Sequence, residues 1–187
     1  VLSMGLRYSA DMAQDQSVPD IWLLSDERND LVLGDAIRRL PPGSGFVFRH
    51  YHLNAEARAA RFAQILPLLR GAGHWAIVSD SFSTAEAWGA DGVYGAHDAH
   101  ATAGLRWIAT AHNEAEIAHA NEYGASAVML SPVFPTRSHP GAATLSIARF
   151  RELAALSTIP VIALGGMTPE RARDLDWPRW AAIDGLS

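Results

Sequence analysis

The sequence predicts an α/β fold built on a parallel sheet. Two patterns carry that prediction. Eight short apolar runs alternate with stretches of helical spacing, as repeated strand–helix units do. Polar residues then gather just past the runs: Asp26, Arg49, Asp80, Asp98, His112 and Thr136. The length of 187 residues fits one domain, and 49% hydrophobic residues supply a sizeable core. Periodicity by itself leaves a barrel and a doubly wound sheet both open.

Taken in order, residues 1–20 are polar, lack a sustained period and read as an arm or capping segment. Ile21 to Leu24 is the first strand and stops at Ser25-Asp26. Leu31 to Leu40 has helical spacing and ends at Pro41-Pro42-Gly43. Gly45 to Tyr51 is the second strand. Asn54 can cap the helix that follows to Arg70, with Phe62, Ile65 and Leu69 on one face. Pro67 is expected to kink or shorten that helix. Trp75 to Val78 is the third strand, followed by a short helix through Ala87. Asp91 to Tyr94 is the fourth, and the helix after it, around His100 to Gly104, is hardly longer than one turn. Leu105 to Thr110 is the fifth strand, with a helix from Asn113 to Tyr123. Ala127 to Leu130, the helix Ser146 to Leu156, Pro160 to Leu164, the helix Pro169 to Leu175 and Trp180 to Ile183 complete the series. No helix is expected after the eighth strand.

Composition excludes several classes. A net charge of -5 argues against nucleic acid as partner. With no cysteine there is no disulfide framework, thiolate metal site or cysteine nucleophile, which suits a cytoplasmic protein. No apolar run approaches the ~20 residues that span a bilayer, and no signal peptide is expected. All 15 basic side chains are arginine.

The stretch from Val128 to Gly141 carries the chemistry. A buried apolar strand runs into a loop stiffened by Pro132, Pro135 and Pro140. Thr136, Arg137, Ser138 and His139 supply donors suited to an anionic oxygen. Ser131-Pro132-Val133-Phe134-Pro135-Thr136-Arg137-Ser138-His139 resembles the Gly-Pro-aliphatic-aromatic-Pro-Thr-x-Thr-Lys loop of the thiamine phosphate synthase family, which includes a thiazole tautomerase branch. Ile159 to Pro169, with its Gly165-Gly166 pair, is a second match at family-like separation.

That resemblance implies a (β/α)8 TIM barrel over residues 21–187, compact, with a short fourth helix and a missing or truncated last one. The fold typically takes ~250 residues, so connections must be short. A dimer partner (a homodimer) or the first twenty residues are candidates for covering the place of the final helix. The implied reaction joins a hydroxymethylpyrimidine diphosphate to a thiazole phosphate, both small phosphorylated molecules, and releases pyrophosphate. Asp80 and Asp98 match two carboxylates that hold Mg²⁺, although the family's Asn-Asp-Asp is Ser79-Asp80-Ser81 here. His97 and His100 beside Asp98 would suit a softer metal, but histidines on a loop are usually solvated. Arg49 matches the central residue of Gln-x-Arg-x-Lys, with Val47 and Tyr51 in place of its polar partners. Thr110-Ala111-His112-Asn113 matches Ser-Ala-His-Thr, making His112 the acid–base candidate. Thr136 and Ser138 match two substrate-holding threonines, and His139 replaces the family's lysine. Gly165 and Gly166 would admit a phosphate, while Asp184 stands where the family has a serine; a slipped register would give Ser187 that place. Ser79 and Thr110 fall among the substrate contacts. Two rival readings are a tautomerase using His112, and a non-catalytic barrel that binds a thiamine precursor or a protein. Single polar residues after strands, Asp26 above all, also read as helix caps.

Overall fold

The apolar runs form strands because both faces of each are covered, which is the environment that short Val/Ile/Ala-rich segments suit. The computed structural model describes residues 17–97, 104–138, 140–141 and 143–187. Eight strands pair in parallel in chain order: β1 (Ile21–Leu24), β2 (Gly45–Phe48), β3 (Trp75–Val78), β4 (Gly92–Tyr94), β5 (Arg106–Ala111), β6 (Ala127–Leu130), β7 (Val161–Leu164) and β8 (Trp180–Ala182). β8 pairs back onto β1, so the sheet is a closed barrel. The helices are α1 (Leu33–Arg39), α2 (Ala55–Gly71), α3 (Phe82–Trp88), α4 (Glu114–Glu122), α5 (Ile147–Ala154) and α6 (Pro169–Leu175). None of the described helices is long and apolar enough to cross a membrane.

Side-chain alternation splits the core into two shells. Leu23, Phe46, Phe48, Val78 and Leu130 pack beneath the helices. Trp22, Leu24, Val47, Ile77, Met129 and Ile162 fill the barrel. At its N-terminal end the Trp22 indole donates to the Pro19 carbonyl at 2.7 Å and meets Trp75 edge-on at 5.9 Å. The Arg106 guanidinium lies 4.1 Å over the Trp75 ring. Val18 packs on this inner shell, and Trp180 N–H donates to the Asp20 carbonyl at 2.9 Å. The end of the N-terminal segment therefore belongs to the floor of the barrel; residues 1–16 lie outside the described part.

Helix starts follow from the polar residues that end each loop. Asn54, Ser81, Asn113, Ser146 and Thr168 each accept a backbone N–H in the first turn of the next helix. Asp26 caps a 3-10 turn, Glu27–Val32, with Asn29 bonding back to it, which bears out the cap reading of that residue.

Three details differ from the expected elements. β2 stops at Phe48 rather than Tyr51, because His50 takes φ 41°, outside strand geometry. α2 is not shortened at Pro67 but continues to Gly71. Its buried face of Phe62, Ile65 and Leu69 spans the proline, so burial outweighs the lost backbone bond. After β8 comes a 3-10 turn, Asp184–Leu186. The short helix expected around His100 lies largely in 98–103, outside the described residues.

The Trp22 wedge calls for glycine at 45: a Cβ there would lie 2.2 Å from the nearest indole carbons. Gly45→Ala is expected to destabilise the protein by about 1–3 kcal/mol, read as a lower urea midpoint. Unchanged stability would show that the indole can move aside.

Candidate active site

The C-terminal ends of the strands surround a cavity of about 670 Å³. Its walls come from the end of β4, from the ends of and loops after β5, β7 and β8, and from the loops after β1, β2 and β6. Of the residues expected from sequence, Arg49, Thr110, His112, Thr136, Ser138, Gly165, Gly166 and Asp184 all line it. Ser79 and Asp80 do not. Asp98 and His139 lie outside the described residues.

The loops after β6 and β7 build one wall together. Val133 N–H donates to the Leu164 carbonyl at 2.9 Å, and Phe134 N–H to the Gly165 carbonyl at 3.0 Å. A Cβ on Gly165 would lie 2.7 Å from Pro132 Cα, and one on Gly166 would collide with the Pro135 carbonyl. Both glycines also have positive φ, 98° and 62°. The glycine pair is therefore required by close approach of the two loops, whatever ligand it also admits. Thr136 Oγ1 accepts Ser138 N–H at 3.3 Å, which fixes the turn that carries both hydroxyls.

Four arginines line the cavity, Arg28, Arg49, Arg137 and Arg171. Arg28 donates from Nε to Asp26 at 2.9 Å and from Nη2 to Ser138 Oγ at 2.9 Å, and its Nη1 lies 3.5 Å from Asp184. Asp184 thus faces the cavity with its charge partly offset. Arg171 donates to the Gly166 carbonyl and lies 5.1 Å over the Phe134 ring. Arg49 is 3.7 Å from Asp26 and 5.1 Å over Tyr51, while its buried Nε has no hydrogen-bond partner. Arg28 and Arg171 were not among the sequence-based candidates. Their only signal was position: an arginine in the first turn after a strand.

The His112 ring is more than half exposed and holds Glu116 through Nδ1 at 2.9 Å. Glu116 also accepts the His112 N–H at 2.6 Å. Burial opposes charge on Glu116, but these bonds outweigh it and hold its carboxyl below the usual range. Such a carboxylate orients the ring and favours a proton on Nδ1. Burial pushes the Tyr94 phenol at the cavity floor up to about 12, so it stays protonated and can donate.

Asp80 has a different environment. Its Oδ2 lies 2.6 Å from Arg58 Nη1, and its Oδ1 accepts Ser81 N–H at 2.8 Å. Arg58 also donates to the Ser79 carbonyl at 3.1 Å, and Ser79 Oγ pairs with the Tyr51 hydroxyl at 2.6 Å. Both Asp80 oxygens are engaged, and a cation would have to displace a guanidinium held in place by three acceptors. Asp80 faces Arg58 here, and Asp98, the other expected ligand, lies outside the described residues.

Burial tends to raise the Asp80 pKa, but bonds from Ser81 N–H, Thr84 and Arg58 outweigh it, and the net shift is downward. A depressed folded-state value means stability that is full at neutral pH and lost as pH falls below about 4. Asp80→Asn is expected to cost about 1–2 kcal/mol at pH 7, with the gap to the parent closing as pH falls toward 3. Urea denaturation at both pH values checks this, and a pH-independent gap would contradict it.

Comparison with known proteins bears on the fold and the family. A solved thiamine phosphate pyrophosphorylase from Pyrococcus furiosus superposes with a TM-score of 0.74 at 21% identity, over 90% of this chain and 87% of that one, and so shares the fold. "Thiamine-phosphate synthase" of Chloroflexus aurantiacus is 29% identical over 148 residues, 75% of this chain and 67% of the relative. "Thiamine-phosphate synthase" of Chromobacterium violaceum is 34% identical over 128 residues, 64% and 61% of the two chains. The chain spans about two thirds or less of the length of these curated relatives. The family model described as thiamine monophosphate synthase, TMP-TENI, matches residues 38–177, and the chain belongs to that family.

Proposed function

We propose that this barrel is a transferase that joins hydroxymethylpyrimidine diphosphate to a thiazole phosphate and releases pyrophosphate. The observation that carries the reading is the convergence of Arg49, Thr136, Ser138 and Gly166 on one cavity, in a chain of this family. A guanidinium and hydroxyls on a fixed turn suit a departing oxyanion, since they are aimed where charge develops.

In this reading the carbon–oxygen bond of the diphosphate breaks first, and the electron pair leaves with pyrophosphate. The methylene cation that remains is captured by the thiazole nitrogen. Arg49, Thr136 and Ser138 bind the pyrophosphate oxygens, with His139 as a further donor. Gly166 cradles the acceptor phosphate, beside an Asp184 whose repulsion Arg28 reduces. Tyr94 and Thr110 line the pyrimidine side of the cavity. The Mg²⁺ that the resemblance implies would rest on Asp80 and Asp98; because Asp80 is committed to Arg58, no step is routed through a metal.

Purified protein mixed with both substrates is expected to yield thiamine phosphate and pyrophosphate, followed by mass spectrometry. Arg49→Ala should lower the rate about 100-fold. Saturable binding of both substrates without product would contradict the reading. So would aromatisation of an unaromatised thiazole carboxylate phosphate that is lost in His112→Ala.

A further inference from the structure

Arg49 is held through its backbone by side chains from elsewhere. The strand ladder ends one residue before it, where Ser79 N–H donates to the Phe48 carbonyl at 2.9 Å. From there, Arg49 N–H donates to Ser25 Oγ at 2.8 Å, and Arg58 Nε donates to the Arg49 carbonyl at 3.1 Å. Behind Ser25 runs a polar chain, buried at His50 and partly exposed at Asp30. Ser25 Oγ lies 2.7 Å from His50 Nδ1, and His50 Nε2 lies 2.8 Å from Asp30 Oδ1. Asp30 is anchored by Arg61 Nε at 2.8 Å.

The chain has one consistent proton direction. Burial favours the neutral His50 ring, and the Asp30 carboxylate can only accept, so Nε2–H donates to Asp30 and Nδ1 accepts the Ser25 proton, while Ser25 Oγ accepts from Arg49 N–H. Ser25 and His50 are both fully buried, so the hydroxyl meets no substrate and is no nucleophile, despite the Ser–His–Asp order. His50 holds φ 41°, a conformation that non-glycine residues adopt only when their surroundings enforce it. Its ring stacks on Phe48 at 4.6 Å. Strained backbone and polar relay thus flank the one arginine at the cavity, among the described residues, whose Nε is buried without an acceptor. The Arg49 side chain lines the cavity and is 17% exposed, so its accessible part can meet an oxygen from outside the protein.

We propose that Ser25, His50 and Asp30 form a seat for Arg49, making His50 a positioning residue that aims the Arg49 guanidinium at an anionic oxygen in the cavity. The inference rests on the reading of that cavity as a pyrophosphate site.

Inorganic pyrophosphate is the probe, titrated into the full chain by calorimetry, with the ¹⁵N–¹H signal of Arg49 Nε followed by NMR. Arg49→Ala should abolish saturable binding. His50→Gly removes both ring contacts while tolerating the left-handed backbone, and should weaken binding about tenfold, the effect of losing one hydrogen-bonded constraint. It should also shift the Arg49 Nε signal in the free protein. His50→Asn tolerates the same backbone and keeps an acceptor near the Nδ1 position, and should restore affinity to within about twofold. Thermal melting of each variant separates seating from folding. His50→Gly protein that melts lower, yet binds pyrophosphate as the parent does, overturns the inference alone. Binding that survives Arg49→Ala, or no binding by the parent, removes the pyrophosphate reading and this inference with it.

Discussion

Three register pairs, Ile21 with Trp180, Trp22 with Ala181 and Leu23 with Ala182, join the last strand to the first. That seam removes both sheet edges and fixes what stands beside what at the rim. It sets the turn after β8 against the loop after β1, so Arg28 reaches Asp184. Asn29, fully buried, completes the seam from above: its amide donates to the Leu24 carbonyl at 3.1 Å and to Ser187 Oγ at 3.1 Å. Strands this short leave little inner wall. The apolar fill that starts at Trp22 gives way to Arg49, Tyr94 and Thr110 within one or two inward positions. The cavity begins where that fill ends.

Charge at the rim is arranged mostly in pairs. Arg58 satisfies Asp80, Arg28 bridges Asp26 and Asp184, and Arg61 joins His50 on Asp30. Each pair ties a loop or helix to its neighbour, so these contacts are as much bracing as chemistry. Arg49 is matched less well, with Asp26 at 3.7 Å and an unpartnered Nε. Among the described residues Arg137 and Arg171 also line the cavity without a carboxylate partner, and with Arg49 they mark where an external anion gains most. The interlocked loops after β6 and β7 add a rigid wall of donors opposite.

Much of the fold was legible because strand and helix periods differ. The apolar runs at Ile21, Trp75 and Ala127 matched their strands to the residue, and Asn54 was recognisable as a cap. Closure was not in the periodicity; the loop motif beginning at Ser131 carried it. The site was legible wherever a residue sits on the strand's own register, as Arg49 and Thr110 do. It was obscure where a long side chain chooses between neighbours. Asp80 turns to Arg58, a partner 22 residues away that no local spacing reveals. Arg28 lies on a 3-10 turn and Arg171 in the first turn of α6, and their reach depends on the loops facing them. His50 looked like strand because its positive φ comes from contacts with Ser25 and Asp30 in other segments.

The central claim is that an anion-bearing substrate is held at the strand C-terminal rim between Arg49 and the Thr136–Ser138 turn. A crystal structure of the protein grown with hydroxymethylpyrimidine diphosphate tests this most directly. The account predicts diphosphate density within hydrogen-bonding distance of the Arg49 guanidinium and of the Thr136 and Ser138 hydroxyls. Diphosphate bound elsewhere on the molecule, with the cavity filled only by water, would contradict it.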